Sequence, residues 1–214
     1  MTQQNSREKQ RQSSDSKPAS TVEKILDAAE QLFAEQSYEG TSLREIAQKV
    51  KIREPSLYAH FSSKEAIYGA VIDRALEPFL NEINSWNKVN LSLHELLAIP
   101  RKMLQLHAQH PNAARIMHRE FSHPVDRISP KVMEWMEKIA EQSLIFMTGL
   151  PENEHTRVDR RKAAVNIITL TNITLGFFSS QGMQKKLLGD HYDHDALFEE
   201  HVRIVTKIFK SLLI

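Results

Sequence analysis

Apolar residues recur every three or four positions along nearly the whole chain, which is the spacing of amphipathic α-helices. Glycine is rare, prolines are isolated, and no stretch has the Val, Thr and Tyr alternation of a half-buried strand. The pattern therefore predicts an all-α fold. Its first helix covers residues 20–36 and has one apolar stripe, formed by Val22, Ile25, Leu26, Ala29, Leu32 and Phe33.

A turn at residues 37–42 separates this helix from the next one. Ser42 stands three residues before Glu45, and this spacing lets the two side chains cap the first turn of a helix reciprocally. The second helix is therefore predicted over residues 43–50.

The third helix is predicted over residues 54–61, with Pro55 in its first turn, where backbone N–H groups have no partner within the helix. About four residues separate it from the second helix, which is the outline of a helix-turn-helix unit. Ser62 and Glu65 repeat the capping spacing and open a long fourth helix reaching Trp86.

The remaining chain continues as helices, with breaks at Gly149-Leu150-Pro151 and Gly189-Asp190. Residues 1–19 have almost no apolar side chains and are predicted to be a disordered arm. We divide the rest into a three-helix domain at 20–66 and a larger helical domain at 67–214. The helices of the larger domain are predicted at 92–110, 111–121, 130–149, 156–188 and 193–213.

Composition narrows the class of protein. The chain has 214 residues, of which 41% are apolar and 26% charged, and its net charge is only +1. Cysteine is absent, which excludes disulfides and thiolate metal sites and fits a cytoplasmic location. The most apolar stretch, residues 163–178, is too short to span a bilayer and is predicted to be a buried helix. No signal peptide is expected in residues 1–20.

The low net charge hides a local asymmetry. The segment 48–64 carries one acid, Glu54, and four basic residues, and the first helix is acidic. Binding to a phosphate backbone needs only the facing edge of a domain to be positive. The basic residues of the segment are Lys49, Lys51, Arg53 and Lys64.

The end of this segment has further features that suit DNA. Lys64 lies in the first turn of a helix, where a cation opposes the helix dipole by roughly 0.3–1 kcal/mol unless an anion such as phosphate binds there. A solvated surface lysine is the alternative. Tyr58 and His60 have polar tips suited to backbone or base contacts, and they cannot both share the core-facing side of Leu57 and Phe61.

The segment "TSLREIAQKVKIREPSLYAHFSSKEAIY", residues 41–68, resembles the DNA-binding signature of the TetR family of bacterial transcriptional regulators. The upstream segment "ILDAAEQLFAEQSYEGTS" resembles the family's first helix and turn. The resemblance implies an N-terminal helix-turn-helix domain and a larger helical domain for ligand binding and dimerisation. The marks that carry it are Thr41, Ile46-Ala47, Ile52, Leu57-Tyr58, His60-Phe61 and Ser63-Lys64-Glu65.

The resemblance also implies roles for individual residues. Thr41 and Ser42 would contact phosphate at the start of the second helix, and Lys64 would clamp phosphate at the start of the fourth. The residues in or beside the major groove would be Arg53, Ser56, Tyr58 and His60, with Lys51 in the turn.

Two departures from the family pattern affect these roles. Lys51 stands where the family usually has glycine, so a left-handed backbone is expected there. Arg53-Glu54-Pro55 replaces small residues at the start of the recognition helix, so no operator sequence is carried over. Glu54 either accepts a hydrogen bond from a cytosine amine or serves as an acid at the helix start.

The larger domain offers candidate ligand-binding residues, although such side chains are more often plain core. Asn172 is the strongest, because a buried amide within an apolar helix must find a hydrogen-bond partner in the protein or a ligand. The full set is Phe79, Trp86, Met103, His107, Met117, Phe121, Trp135, Phe146, Asn172 and Phe177.

The last helix has an apolar face wide enough to cover the core and a two-fold partner, or the core alone. Histidines cluster near residues 107–123 and 191–194, but without a metal-binding spacing, and no catalytic motif is found. No metal, cofactor or enzyme activity is therefore expected.

The sequence predicts a homodimeric repressor that a small-molecule effector releases from a palindromic double-stranded DNA operator. A DNA-bound scaffold controlled by a protein partner is the first alternative, and an enzyme that uses the histidines is the second.

Overall fold

The computed structural model describes residues 20–86, 91–148 and 160–213, and the predicted arm at 1–19 lies outside these ranges. All regular structure in the described residues is helical, which confirms the all-α prediction. Two short 3-10 turns, Val125–Arg127 and Gly189–His191, accompany the α-helices. These are α1 (Thr21–Gly40), α2 (Leu43–Val50), α3 (Glu54–Tyr58), α4 (Lys64–Trp86), α5 (Leu93–Gln109), α6 (Pro111–Glu120), α7 (Pro130–Thr148), α8 (Arg160–Ser179), α9 (Gln181–Leu188) and α10 (His194–Leu213).

The first three helices pack around the apolar stripe of α1. Ile25, Ala29 and Phe33 are buried against Ile46 of α2 and Leu57 of α3. Burial of a large aliphatic or aromatic side chain stabilises a fold by about 1.5–3 kcal/mol. This small core fixes the angle at which α2 and α3 leave the rest of the chain.

Capping side chains set the helix starts. Ser42 and Glu45 form the predicted capping box of α2. The prediction for α4 was wrong by one residue, because Ser63, and not Ser62, accepts from the backbone N–H of Ala66 at 3.2 Å. The Glu65 carboxylate instead accepts from the hydroxyl of Tyr38 on α1.

The single helix predicted at 156–188 is interrupted at Ser180, where α8 ends and α9 begins. The hydroxyl of Ser180 donates to the carbonyl oxygen of Phe177 at 3.2 Å, and the Gln184 amide donates to the same oxygen at 2.8 Å. These bonds compete with the helical pattern. Residues 156–159 of the predicted helix lie outside the described ranges.

The longer helices build the second part of the molecule around α4. Helix α4 packs on α7, α6 packs on α8, and α5 packs on α10. Buried side chains form one cluster that continues from α1 through α4 to α8 and α10. Helix α6 also packs on α1, so it links the two parts. Across the described residues, no helix is long and apolar enough to cross a membrane.

Candidate DNA interface and interior cavities

The turn between α2 and α3 depends on the backbone of Lys51. This residue has φ 62° and ψ 40°, the left-handed conformation expected from the missing glycine. The backbone N–H of Ile52 donates to the carbonyl of Ala47 at 3.0 Å, and that of Lys51 to the carbonyl of Gln48 at 3.1 Å. These bonds satisfy the last carbonyl groups of α2 and turn the chain sharply into α3.

Helix α3 presents most of its surface to solvent. Leu57 is 1% exposed and anchors the helix, whereas Tyr58 is 55% exposed. Arg53, Ser56 and His60 are exposed as well. The side chains predicted for the major groove are therefore free to contact another molecule, and Lys51 beside them is exposed too.

Lys64 has a different environment from the one predicted. Its ammonium group donates to the carbonyl oxygens of Tyr38 at 2.8 Å and Thr41 at 3.0 Å. It also lies 4.2 Å from the centre of the Tyr38 ring, within the range of a cation–π interaction. Two of its three N–H donors thus hold the start of α4 against the turn between α1 and α2.

Thr41 and Ser42 lie in the turn between α1 and α2, and their hydroxyl groups form hydrogen bonds with residues of these two helices. Thr41 is only 2% exposed, and its hydroxyl donates to the carbonyl of Ser37 at 2.8 Å. This burial argues against a phosphate contact through the Thr41 side chain. Ser42 is exposed, and its hydroxyl donates to a carboxylate oxygen of Glu45 at 2.7 Å.

A hydrogen bond between Tyr38 of α1 and Glu65 of α4 also connects these two helices. The Tyr38 hydroxyl donates to Glu65 Oε1 at 2.5 Å. This hydrogen bond, followed by one from the Glu65 backbone, lowers the pKa of Glu65 to about 2. Burial and the neighbouring carboxylate raise the pKa of the Tyr38 hydroxyl. The pair therefore stays as a neutral tyrosine and an ionised glutamate across the physiological range.

Helix α6 is attached to this region by polar contacts. The Arg119 guanidinium donates to the carbonyl oxygens of Phe33 at 2.8 Å and Ala34 at 3.4 Å. The buried Glu120 carboxylate accepts from the Tyr68 hydroxyl and from the Ser129 backbone N–H. A movement of α6 would disturb contacts with both α1 and α4.

One cavity among the helices of the larger part, bounded by described residues, has a volume of about 150 Å³. Five helices supply its walls, including Trp86 of α4, Met103 of α5, Phe146 of α7, Asn166 of α8 and Phe209 of α10. Three of these side chains, Trp86, Met103 and Phe146, are among the predicted ligand-binding residues.

The second cavity has a volume of about 70 Å³ and lies closer to α6. Four other predicted residues line it: Phe79, His107, Met117 and Phe121. Met103 and Thr171 contribute to the walls of both cavities, so the two are adjacent. The first cavity reaches α10 and the second reaches α6, the helix that packs on α1.

His107 adds the one strongly perturbed imidazole in the described residues. Its Nδ1 lies 2.8 Å from the carbonyl oxygen of Met103, and its ring lies 4.4 Å from that of Phe79. Burial lowers its pKa to about 4 against the opposing effect of the Met103 carbonyl. The ring is therefore neutral at neutral pH.

Three predicted ligand-binding residues do not line these cavities. Trp135 donates from Nε1 to Asp73 at 2.7 Å, and Phe177 stacks on His201 at 4.2 Å. Asn172 was expected to be buried, which is wrong, because it lies on the exposed side of α8.

The buried amide on this helix is that of Asn166, which is 4% exposed. Asn166, Leu170 and Thr174 follow each other at four-residue steps on the cavity side. Among the described residues, no group of three histidines or acids is placed to hold a metal ion.

Comparison with known proteins extends these observations. Residues 25–71 match the family model described as bacterial regulatory proteins, tetR family. The chain is 28% identical over 115 residues to the biofilm operon icaADBC HTH-type negative transcriptional regulator IcaR of Staphylococcus epidermidis, a match that covers 50% of this chain and 62% of that protein. It is 29% identical over 136 residues to IcaR of Staphylococcus aureus, covering 59% and 73%.

Solved structures share the fold over most of the chain. The fatty acid degradation regulator FadR from Bacillus halodurans superimposes with a TM-score of 0.63 at 18% identity, covering 89% of this chain and 96% of that one. FadR from Bacillus subtilis in complex with stearoyl-CoA gives a TM-score of 0.62 at 18% identity, covering 86% and 97%. At this level of identity the likeness concerns the fold.

Proposed function

Because the chain belongs to the TetR family of bacterial regulatory proteins, we propose that it is a homodimeric transcriptional repressor released from its operator by a small apolar effector. The observation that carries this proposal is the exposed surface of α3 and of the residues at its two ends, which follow the tight turn at Lys51. Its accessible side chains are Arg53, Ser56, Tyr58 and His60. The negative regulators from the two staphylococci, which match 50% and 59% of this chain, support repression as the outcome.

The anchoring of α3 by one buried side chain supports DNA binding through its exposed surface. Its core anchor, Leu57, is buried, so the helix can enter the major groove without unfolding the domain. Lys51 and Arg53 supply positive charge for the phosphate backbone, and Tyr58 and His60 offer contacts near the bases. A two-fold dimer would require a near-palindromic operator with half-sites about one helical turn, or a multiple of it, apart.

Dimerisation is supported by apolar side chains that one copy leaves exposed. Val165 and Ile168 on α8 and Ile204 on α10 are exposed in the single chain. These two helices pack on each other, so their outer sides form a continuous surface for a second copy. Burial of that surface would add to the stability of both protomers.

Effector binding is supported by the two adjacent cavities. The alternative of a protein-controlled scaffold predicts a filled core, whereas these cavities leave space among apolar side chains. The neighbour of similar fold in complex with stearoyl-CoA is a precedent for a ligand with an apolar chain. The effector would release DNA only if it binds the released conformation more tightly than the DNA-competent one.

Selection of bound DNA from a random pool tests the proposal. The expected result is a palindrome, bound by the dimer in a gel-shift titration. Arg53→Ala should weaken this binding, whereas Arg127→Ala, which removes an exposed arginine from the 3-10 turn before α7, should not. Absence of any enriched sequence, or equal affinity of both variants, contradicts the assignment.

A further inference from the structure

Asn166 has a buried donor without an acceptor. Its side chain is 4% exposed, and its Nδ2 has no hydrogen-bond partner among the described residues. A buried donor that has lost water and gained no acceptor destabilises a protein. Because Asn166 lines the 150 Å³ cavity, a molecule in that cavity is the available source of an acceptor.

The other polar groups in the cavity walls are the Trp86 indole and the hydroxyls of Ser143, Thr171 and Thr174. The Thr174 hydroxyl donates to the carbonyl of Leu170 at 2.8 Å, and the Trp86 indole donates to Glu82 at 3.0 Å. No lysine, arginine or histidine is among the described residues that line the cavity. A carboxylate or phosphate would therefore lose its hydration without gaining a cation.

We propose that the effector is an uncharged, largely apolar molecule whose single hydrogen-bond acceptor, a carbonyl oxygen, is bound by Asn166. This inference rests on the proposed effector site and names the chemical class that it selects. The volume sets the size of the buried part, because an apolar cavity of about 150 Å³ holds a molecule the size of benzene. Ketones, esters, lactones and amides with a small apolar body satisfy these requirements.

Three size-matched probes test this proposal on the full-length protein. Acetophenone carries a neutral carbonyl, ethylbenzene lacks an acceptor, and benzoate carries a negative charge. Acetophenone should bind about threefold to tenfold more tightly than ethylbenzene, the ratio that one neutral hydrogen bond provides, and benzoate should bind more weakly than acetophenone. Dissociation constants from calorimetry or ligand-detected NMR give the comparison.

Variants of Asn166 test whether its side-chain amide causes the preference for acetophenone over ethylbenzene. Asn166→Leu and the smaller Asn166→Ala should both bind acetophenone and ethylbenzene equally. The matched control is Asn172→Leu, which changes an exposed asparagine on the same helix and should keep the preference. Ligand-free Asn166→Leu should melt at or above the wild-type temperature, because it loses a donor without a partner.

Several outcomes overturn the inference. Tighter binding of benzoate than of acetophenone, an unchanged preference in both Asn166 variants, or no binding of any probe at millimolar concentration each contradicts it. Operator binding by the same variants without probe separates this test from the proposed function. A failure to bind DNA refutes the repressor, whereas the probe ratios report on the cavity alone.

Discussion

The ammonium nitrogen of Lys64 lies 4.2 Å from the centre of the Tyr38 ring and donates to the backbone carbonyl of the same residue at 2.8 Å. A second donor reaches the carbonyl of Thr41. The lysine at the start of α4 therefore holds together the turn that begins α2. Its contribution to DNA binding would come through the position of α2 and α3 as much as through its charge.

Replacement of Lys64 should destabilise the fold. Lys64→Met loses two charge-assisted hydrogen bonds to backbone carbonyls in a half-buried site, and we expect a loss of about 1–3 kcal/mol in the free energy of unfolding. Urea denaturation measures it. If the lysine acts by position alone, the slope of log K for DNA against log salt stays at the wild-type value. A slope reduced by about 1 with unchanged stability would restore the simple phosphate clamp.

Tyr58 should behave in the opposite way. Its side chain is 55% exposed, so Tyr58→Ala should change the free energy of unfolding by no more than about 0.5 kcal/mol. Operator affinity should fall by about tenfold, because an exposed contact of the recognition helix is lost. Fluorescence anisotropy with the selected operator and parallel denaturation measure the two quantities. Equal affinity of wild type and variant would remove Tyr58 from the interface.

The pKa of Glu65 reports on the contact between α1 and α4. The Tyr38 hydroxyl is the largest cause of its lowering to about 2, so Tyr38→Phe should raise the Glu65 pKa towards the usual 4.5. The carboxylate contributes stability above the unfolded-state pKa and loses it as the pH falls towards 2. Carbon-detected NMR titration of the side chain measures the change. A value that stays near 2 in the variant would show that the hydroxyl is not the cause.

Local patterns predicted most of the helices correctly. The α2 boundaries follow from the Ser42–Glu45 spacing, and the chemistry of sequence neighbours was sufficient to place them. The left-handed backbone at Lys51 was expected from the resemblance to the TetR family, which usually has glycine at this position, and the structure confirms it.

Features that depend on distant residues could not be predicted in this way. The acceptors of Lys64 are backbone carbonyls of residues 38 and 41, and no side-chain pattern marks them. Helix α8 is apolar on more than one side, so its periodicity did not show whether Asn166 or Asn172 faces the core. That choice depends on the packing of five helices around the cavity.

Replacement of Lys51 by glycine should raise the stability of the fold and weaken DNA binding. A left-handed backbone at a residue other than glycine costs about 1–2 kcal/mol, and the greater freedom of glycine in the unfolded chain offsets part of the gain. We therefore expect Lys51→Gly to raise the free energy of unfolding by about 0.5–1 kcal/mol. Because one exposed cation is lost, the salt slope of operator binding should fall by about 1.

The control for this change is Lys49→Gly in the last turn of α2. Lys49 is exposed as well, but its backbone is helical, so glycine there should cost up to about 1 kcal/mol. Opposite signs for the two glycine variants in the same denaturation experiment would attribute the gain to the backbone of residue 51. Equal signs would contradict it.

His107 predicts the response of stability to pH. Burial lowers its pKa to about 4 in the folded protein, whereas the unfolded chain has a value near 6.5. The unfolded state therefore binds more protons between these values, and stability falls as the pH drops from about 6.5 to 4, by about 3 kcal/mol in total. His107→Gln should remove this part of the pH dependence, while His118→Gln, at an exposed position, should keep it. Denaturation midpoints measured from pH 7.5 to 4 make the comparison, and parallel curves for wild type and His107→Gln would show that the imidazole titrates normally.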